Sequence, residues 1–181
     1  MTANLQMSRR IRRTPFTSCV EKLGISGFTV VNHTLLPKAF SYSVENDFFH
    51  LREAVQVWDV GCQRQVEIEG PDALHLMQIM TPRNLDNAKI GQCMYLPLTN
   101  DEGKIINDPI LLRLSADKFW LSIADSDILL WARGLAIGMK LKVTVKEPDV
   151  SPLAVQGPSS QDLMVEVFGE GIKELGFFQF G

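Results

Sequence analysis

The sequence predicts an α+β fold, and three observations carry that expectation. Stretches that alternate with a period of two, such as residues 62–69, lie among stretches with helical spacing, such as residues 43–54. Between two helical stretches, residues 91–124 hold three strands in succession, which a strictly alternating chain would not do. Finally, 181 residues that are 45% hydrophobic and 22% charged suffice to bury a core of ordinary composition.

Taken in order, Thr14-Pro15-Phe16 leads into a short amphipathic piece around residues 20–23, and residues 28–32 have the β-branched, aromatic character of a strand. Pro37 closes that region. Ser43 is placed to cap a helix running to about residue 54, in which Val44, Phe48, Leu51 and Val55 recur at helical spacing while Asp47, Arg52 and Glu53 are left for water. His50 rides on the same helix. In residues 62–69, Cys62, Val66 and Ile68 share one face and Gln63, Gln65, Glu67 and Glu69 the other, as in a half-buried strand. Gly70-Pro71-Asp72 then starts a helix over residues 73–80, offering Leu74, Met77 and Ile79 to a core before Pro82 forbids continuation. A hairpin follows, then a strand at 119–124, a helix at about 128–138 capped by Asp125 or Ser126, and a strand at 141–145. The order from residue 62 to residue 145 is that of a split βαβ unit with one strand added. Residues 148–152 break the pattern as a connection. Leu153-Ala154-Val155-Gln156-Gly157-Pro158 reads as a short buried strand ending in a turn, and a helix over residues 160–168 comes next. Phe177, Phe178 and Phe180 make the last stretch apolar.

The hairpin is the stretch that points to chemistry. Two apolar runs, residues 93–98 and 104–114, flank the polar loop Asn100-Asp101-Glu102-Gly103, where Gly103 supplies the positive φ such a loop often needs. Inside the second run, Asn107-Asp108-Pro109 sets a carboxylate among apolar residues and a proline where a ladder donor is lost, so a bulge or edge is expected there. Either Asp108 accepts a local backbone hydrogen bond in a turn, or it is held for a reaction. Tyr95, on the first strand, either packs as a cross-strand aromatic or lines a pocket with Asp108.

Composition excludes several classes. A net charge of -3 argues against a general nucleic-acid binder. Arg9, Arg10, Arg12 and Arg13 form a basic cluster open to three explanations: a solvated N-terminal segment, a nucleic-acid arm or the start of a transit peptide. The first is favoured because the run leads into Thr14-Pro15-Phe16 with no linker. No apolar run approaches bilayer length, so no membrane span is expected. Cys19, Cys62 and Cys93 form neither a C-x-x-C pair nor an even set, which suits the cytoplasm. His33, His50 and His75 lack ligand spacing, so no metal site is expected. No phosphate loop, dinucleotide fingerprint or serine elbow occurs. Asp59, Asp72, Asp125 and Asp127 stand at element ends, where caps and turns account for them. Trp58, Trp120 and Trp131 are accounted for by packing, and offer aromatic faces to a cationic ligand.

Tyr95, the loop ending at Gly103, and Asp108 resemble the tetrahydrofolate-binding hairpin of the aminomethyltransferase family, the T-protein of glycine cleavage and its relatives. The family pattern carries Gly-Gly-x-x-Asp-Asp after the turn, with the last aspartate catalytic, and Asp108 falls on it. Lys104 replaces the second glycine and Asn107 the first aspartate. Val57-Trp58-Asp59-Val60, Gly70-Pro71-Asp72-Ala73 and Val155-Gln156-Gly157-Pro158 stand, in order, where the family has its Asp-Val, Gly-x-Asp-Ala and Gln-Gly-Pro motifs. Within the family, Gln56-Val57-Trp58-Asp59-Val60, Arg64-Gln65-Val66-Glu67-Ile68 and Asn107-Asp108-Pro109 resemble the dimethylsulfoniopropionate demethylase branch.

The resemblance implies the aminomethyltransferase folate-binding fold, in which a discontinuous first domain carries an inserted split-βαβ, ferredoxin-like domain. Laid on this chain, residues 1–53 and 146–181 would be the two segments of the first domain, the second one truncated, and residues 54–145 the insert. A third domain would lie beyond, making this the N-terminal portion of a longer enzyme. The implied activity is that of a folate-dependent methyltransferase with tetrahydrofolate as cofactor, demethylating a small sulfonium, dimethylsulfoniopropionate, to give 5-methyltetrahydrofolate. Asp108 would be catalytic, and Tyr95 and Asp108 would bind the cofactor. The alternatives are an aminomethyltransferase of glycine cleavage, a demethylase of another methyl donor, and a non-catalytic folate-binding protein. The implied partner is a small-molecule methyl donor, with no nucleic acid, no membrane and a homo-oligomer left open. The apolar end of the chain is expected to make it self-associate and bind folate weakly when alone.

Overall fold

The computed structural model of the protein describes residues 8–41, 43–123 and 127–181. The chain falls into two compact units, one made of the residues up to Cys62 with Ser151–Val167, the other of Gln63–Val150 with Phe168–Gly181.

In the first unit, helix α1 (Thr17–Lys22) buries Thr17 and Val20 and leads into a hairpin of β1 (Ile25–Val31) and β2 (Thr34–Phe40). Its two-residue turn holds Asn32 and His33 at φ 49° and 60°, the left-handed pair that matches strand twist. Asn32 Nδ2 also donates to Cys62 O at 2.9 Å. Pro37 does not close this region. It lies within β2 opposite Phe28, where a two-stranded sheet leaves one side of each strand without a ladder to disturb.

Ser43 caps α2 (Val44–Glu53) as its sequence predicts, its hydroxyl accepting from Glu45 N and Asn46 N at 3.2 and 3.4 Å. The apolar stripe of α2, however, reaches no core within its unit. Val44 is 76% exposed, Phe48 51%, and no residue of the helix is buried. Periodicity identifies an apolar face without identifying what covers it. Next, β3 (Gln56–Asp59) pairs antiparallel with the strand Leu153–Gln156. That ladder ties residues 56–59 to the first unit, so the unit boundary falls after Cys62 rather than at residue 54. At the end of β3, Asp59 accepts from the Thr14 hydroxyl at 2.5 Å and from Gly61 N at 3.1 Å, a turn carboxylate as its position suggests. Gly157 has φ +125°, and a Cβ there would run into the Ala54 carbonyl, which gives the glycine of Gln156-Gly157-Pro158 a packing role.

The second unit contains β4 (Gln65–Glu69), α3 (Ala73–Met80), β5 (Cys93–Tyr95), β6 (Leu98–Thr99), β7 (Ile105–Asn107), β8 (Ile110–Arg113), β9 (Lys118–Ser122), α4 (Ile128–Gly138) and β10 (Thr144–Lys146). Five strands form an antiparallel sheet in the order β10-β4-β9-β8-β5. Both β9 and β10 run antiparallel to β4 between them and are joined through α4, so β9-α4-β10 is a split βαβ unit. The α+β class holds. The core on one face of the sheet takes Ala73, Leu76, Met77 and Met80 from α3, spaced i, i+3, i+4, i+7, with Ile128, Ala132 and Ala136 from α4. Leu74 packs at the margin of this core, whereas Ile79, expected inside, is exposed because the buried stripe starts at Ala73. Asp72 does not cap α3 with its side chain but accepts from Lys142 N at 2.7 Å. The expected caps of α4, Asp125 and Ser126, lie outside the described residues.

Residues 178–180 run along the outer edge of the sheet. Cys93 N donates to Phe178 O at 2.8 Å and Phe180 N to Gly91 O at 3.1 Å. The backbone of the apolar end is therefore partnered, while the Phe177 side chain is 93% exposed. Among the described residues no helix is long and apolar enough to cross a membrane.

Candidate functional site

Strand alternation sorts the sheet's other face into cross-strand rows. One row reads Gln65, Ser122, Ile110, Tyr95, and the next reads Lys146, Glu67, Trp120, Leu112, Cys93. The half-exposed polar side expected for β4 is not observed, since Glu67 is 3% exposed. As a central strand, β4 has that side covered by its neighbours. Trp120 Nε1 donates to Glu67 Oε2 at 2.7 Å, Lys118 Nζ lies 3.2 Å from the same oxygen, and Lys146 Nζ lies 3.0 Å from Oε1. Burial pushes the Glu67 carboxyl up, but the hydrogen bonds from Trp120, Lys146 and Lys118 outweigh it and hold the group below its ordinary value. In the first row, Gln65 Nε2 donates to Ser122 Oγ at 3.0 Å.

The hairpin forms, with a break in its ladder. Strand β5 pairs with β8 and β6 with β7, and the two pairings keep one register, Tyr95 opposite Ile110 and Leu98 opposite Asn107. Pro97 and Pro109 produce the break, because neither has an N–H to give. Leu96 N donates to Pro109 O at 2.9 Å and carries the hairpin across it. The irregularity foreseen around Asp108 is thus an interrupted ladder, and the bulge itself lies at Ile106, where the register shifts between Leu98 and Thr99. At the tip, Asn100 Oδ1 accepts from Glu102 N and Lys104 N, and Gly103 takes φ +76°.

Within the break, Asn107 and Pro109 are buried and Asp108 between them is exposed. The Asp108 backbone is fixed by its N–H, which donates to Asn107 Oδ1 at 3.0 Å. Its side chain faces the same way as Tyr95, its diagonal cross-strand neighbour, and the Tyr95 hydroxyl donates to Asp108 Oδ2 at 3.1 Å. Among the described residues the carboxylate has no other partner, so a local backbone hydrogen bond does not account for it. Tyr95 is itself 44% exposed. The hydrogen bond to Asp108, with burial and the carboxylate's charge behind it, raises the phenol above its ordinary pKa. The two residues singled out from the sequence are thereby brought into contact.

Nothing in the sequence singles out Arg83, which the structure sets beside them. Beyond α3, the Thr81 hydroxyl donates to Pro97 O at 2.7 Å and Arg83 Nη1 to Tyr95 O at 3.1 Å. Pro82 ends the helix, but only the folded sheet shows which strand the following residues meet. Among the described residues no cluster of three His, Cys, Asp or Glu could hold a metal ion. What remains is an exposed carboxylate with one phenol donor, able to accept a proton or to steady a positive charge beside it.

Known proteins match this chain closely. The family model described as the GCVT N-terminal domain matches residues 17–181. The dimethylsulfoniopropionate demethylase DmdA of Ruegeria pomeroyi is 51% identical over 98% of this chain and 49% of its own length. An aminomethyltransferase of Bacillus cereus is 28% identical over 94% of this chain and 46% of its own. The crystal structure of glycine cleavage system aminomethyltransferase T from Bartonella henselae superposes with a TM-score of 0.82 at 25% identity, covering 93% of this chain and 46% of that one. The chain spans about half the length of the curated relatives it matches. With its sequence matched from residue 17 to its end and its fold shared with an aminomethyltransferase, the chain belongs to the GCVT N-terminal domain family.

Proposed function

We propose that this chain supplies the hairpin side of a tetrahydrofolate-dependent methyl-transfer site. The whole protein then demethylates a small sulfonium, dimethylsulfoniopropionate, to give 5-methyltetrahydrofolate. The pairing of Tyr95 with an exposed Asp108 is the observation that supports a reaction at this place. Likeness to the Ruegeria pomeroyi demethylase supports the donor. The two units are read as the discontinuous first domain and the insert of the family fold. Three cysteines not joined by a disulfide suit a cytoplasmic setting.

The residues present fit a reduced folate. A carboxylate and a phenol at one end of a row that continues into apolar Ile110 suit a flat ring system with N–H groups on its edge. Bound tetrahydrofolate would supply the ring nitrogen that receives the methyl group. Asp108 steadies the positive charge arising there and accepts the proton afterwards. Tyr95 orients the carboxylate by donating to Oδ2, and Asn107 holds the Asp108 backbone in the break. The sulfur keeps the electron pair of its broken bond to the methyl carbon and leaves as a neutral thioether, so the donor side needs no acid. Positioning and exclusion of water are what remains for the protein to provide.

Aminomethyl transfer is the second reading, favoured by the 28% identical relative and by the Bartonella henselae fold match. Lys104 and Asn107, which depart from the family pattern, count against it. Full-length protein incubated with tetrahydrofolate and either donor tests both. Formation of 5-methyltetrahydrofolate from dimethylsulfoniopropionate is expected. Turnover of an aminomethyl donor alone would replace the substrate, and folate binding without turnover of either donor would leave a non-catalytic folate-binding protein.

A further inference from the structure

We infer that Arg83 is a receptor for a carboxylate carried by the ligand of the Tyr95–Asp108 site, an inference that rests on the folate reading above. The loop after α3 is built without help from the arginine side chain. Arg83 N donates to Thr81 Oγ1 at 3.3 Å, Gln78 Nε2 donates to Arg83 O at 2.6 Å, and Leu85 N donates to Gln78 Oε1 at 3.0 Å. The Thr81 hydroxyl then pins the loop to Pro97 O. So fixed, the loop presents an exposed guanidinium on the outer edge of β5.

That guanidinium is underused. Among the described residues its one hydrogen bond is from Nη1 to Tyr95 O, and no carboxylate pairs with it. The carbonyl it meets belongs to an exposed residue that water could serve equally well, so capping the strand edge does not call for a cation. Lys104, at the tip of the hairpin itself, is already taken by Glu102 at 2.5 Å. A guanidinium with spare donors in a fixed fork is matched in shape and charge to a carboxylate.

Tyr95 links the two charges. Its hydroxyl touches Asp108 and its carbonyl touches Arg83, so acceptor and cation stand one tyrosine apart. A ligand that brings a nitrogen to Asp108 meets a cation about that far along. Both molecules of the proposed reaction are carboxylates, the folate through its glutamate and the sulfonium through its propionate, and the site recognises the group they share.

Full-length protein carrying Arg83→Gln, with Arg83→Lys as the conservative partner, decides it and identifies the source. Three quantities are measured: the Kd of tetrahydrofolate, the Kd of 6-methyltetrahydropterin, which lacks the glutamate, and the KM of dimethylsulfoniopropionate. If the glutamate is the source, Arg83→Gln weakens tetrahydrofolate about ten-fold and leaves the pterin unchanged; if the propionate is, the donor KM rises about ten-fold at unchanged folate affinity. In either case kcat stays within about two-fold and lysine restores part of the loss. An unchanged variant, or one that loses the pterin as strongly as the folate, overturns the inference while leaving the folate reading in place. Wild-type protein that binds neither tetrahydrofolate nor the pterin removes the folate reading itself, and this inference with it.

Discussion

Two carboxylates of the second unit, one within its sheet and one in the gap between two strands, have opposite surroundings. Glu67, on central β4, is buried and meets Trp120, Lys118 and Lys146. Asp108, in the ladder break between β7 and β8, is exposed and meets one phenol. A carboxylate surrounded by donors is stabilised as an anion and has little left to offer a ligand, whereas one held by a single donor retains lone pairs and access. Backbone geometry decides which is which. A continuous ladder packs neighbouring side chains over Glu67, and two prolines open the ladder at Asp108.

The largest effect expected from this contrast is at Asp108. Asp108→Asn in the full-length protein should lower turnover by about two orders of magnitude while folate affinity stays within a few-fold, because the charge acts in the transition state. Comparable losses in turnover and in folate binding, measured by single-turnover kinetics and calorimetry, would place Asp108 with Glu67 as a structural group.

Glu67 should show the reverse pattern. Glu67→Gln keeps an acceptor for Trp120 but strips Lys146 of its anion and leaves Lys118 with Glu69 alone, and should cost about 1–2 kcal/mol in urea unfolding at neutral pH, with folate affinity little changed. The pH dependence has a definite sign. The folded carboxyl lies below its ordinary value of 4.5, so its contribution is complete above that value and is lost as pH falls through the lower folded pKa. The acid limb of the wild-type stability curve should therefore be steeper than that of Glu67→Gln. Parallel limbs would mean that the lysine contacts contribute nothing in solution.

The smallest effect is spectroscopic. The 181 residues hold two tyrosines, so in this chain alone Tyr42→Phe leaves Tyr95 as the one phenol for an ultraviolet titration. Its midpoint should lie above the ordinary phenol value of 10.0, and Asp108→Asn should bring it back down. A midpoint insensitive to Asp108 would show that the contact is not kept in solution.

Much of this was legible in the sequence where a local rule governs. Ser43 announces α2, Gly103 the hairpin loop, and Tyr95 with Asp108 the two strands that bring them together. Global arrangement was less legible. Alternation could not tell that the polar side of β4 would be roofed by Trp120 and two lysines, because strand order is set by partners far along the chain. Helical spacing found the apolar stripe of α2 but not whether anything covers it, and Pro37 looked like a boundary because strand partnering, not proline itself, determines whether the missing N–H matters. Arg83 was invisible for the same reason, since its meaning lies in a carbonyl twelve residues away.

The segment laid along the outer edge of β5 bears on how the second unit is made. Strand β5 carries Tyr95, yet residues 178–180, which hydrogen-bond to its edge, follow every strand of the unit in the sequence and so are synthesised after all of them. While the nascent chain grows, β8 can satisfy only one side of β5, and the other side stays open to any extended segment nearby. The strand that carries one candidate binding residue is thus open to mispairing on the ribosome. Its protection arrives only when residues 178–180 fold back, so substitutions that slow that return would be felt as lost yield before they were felt as lost activity.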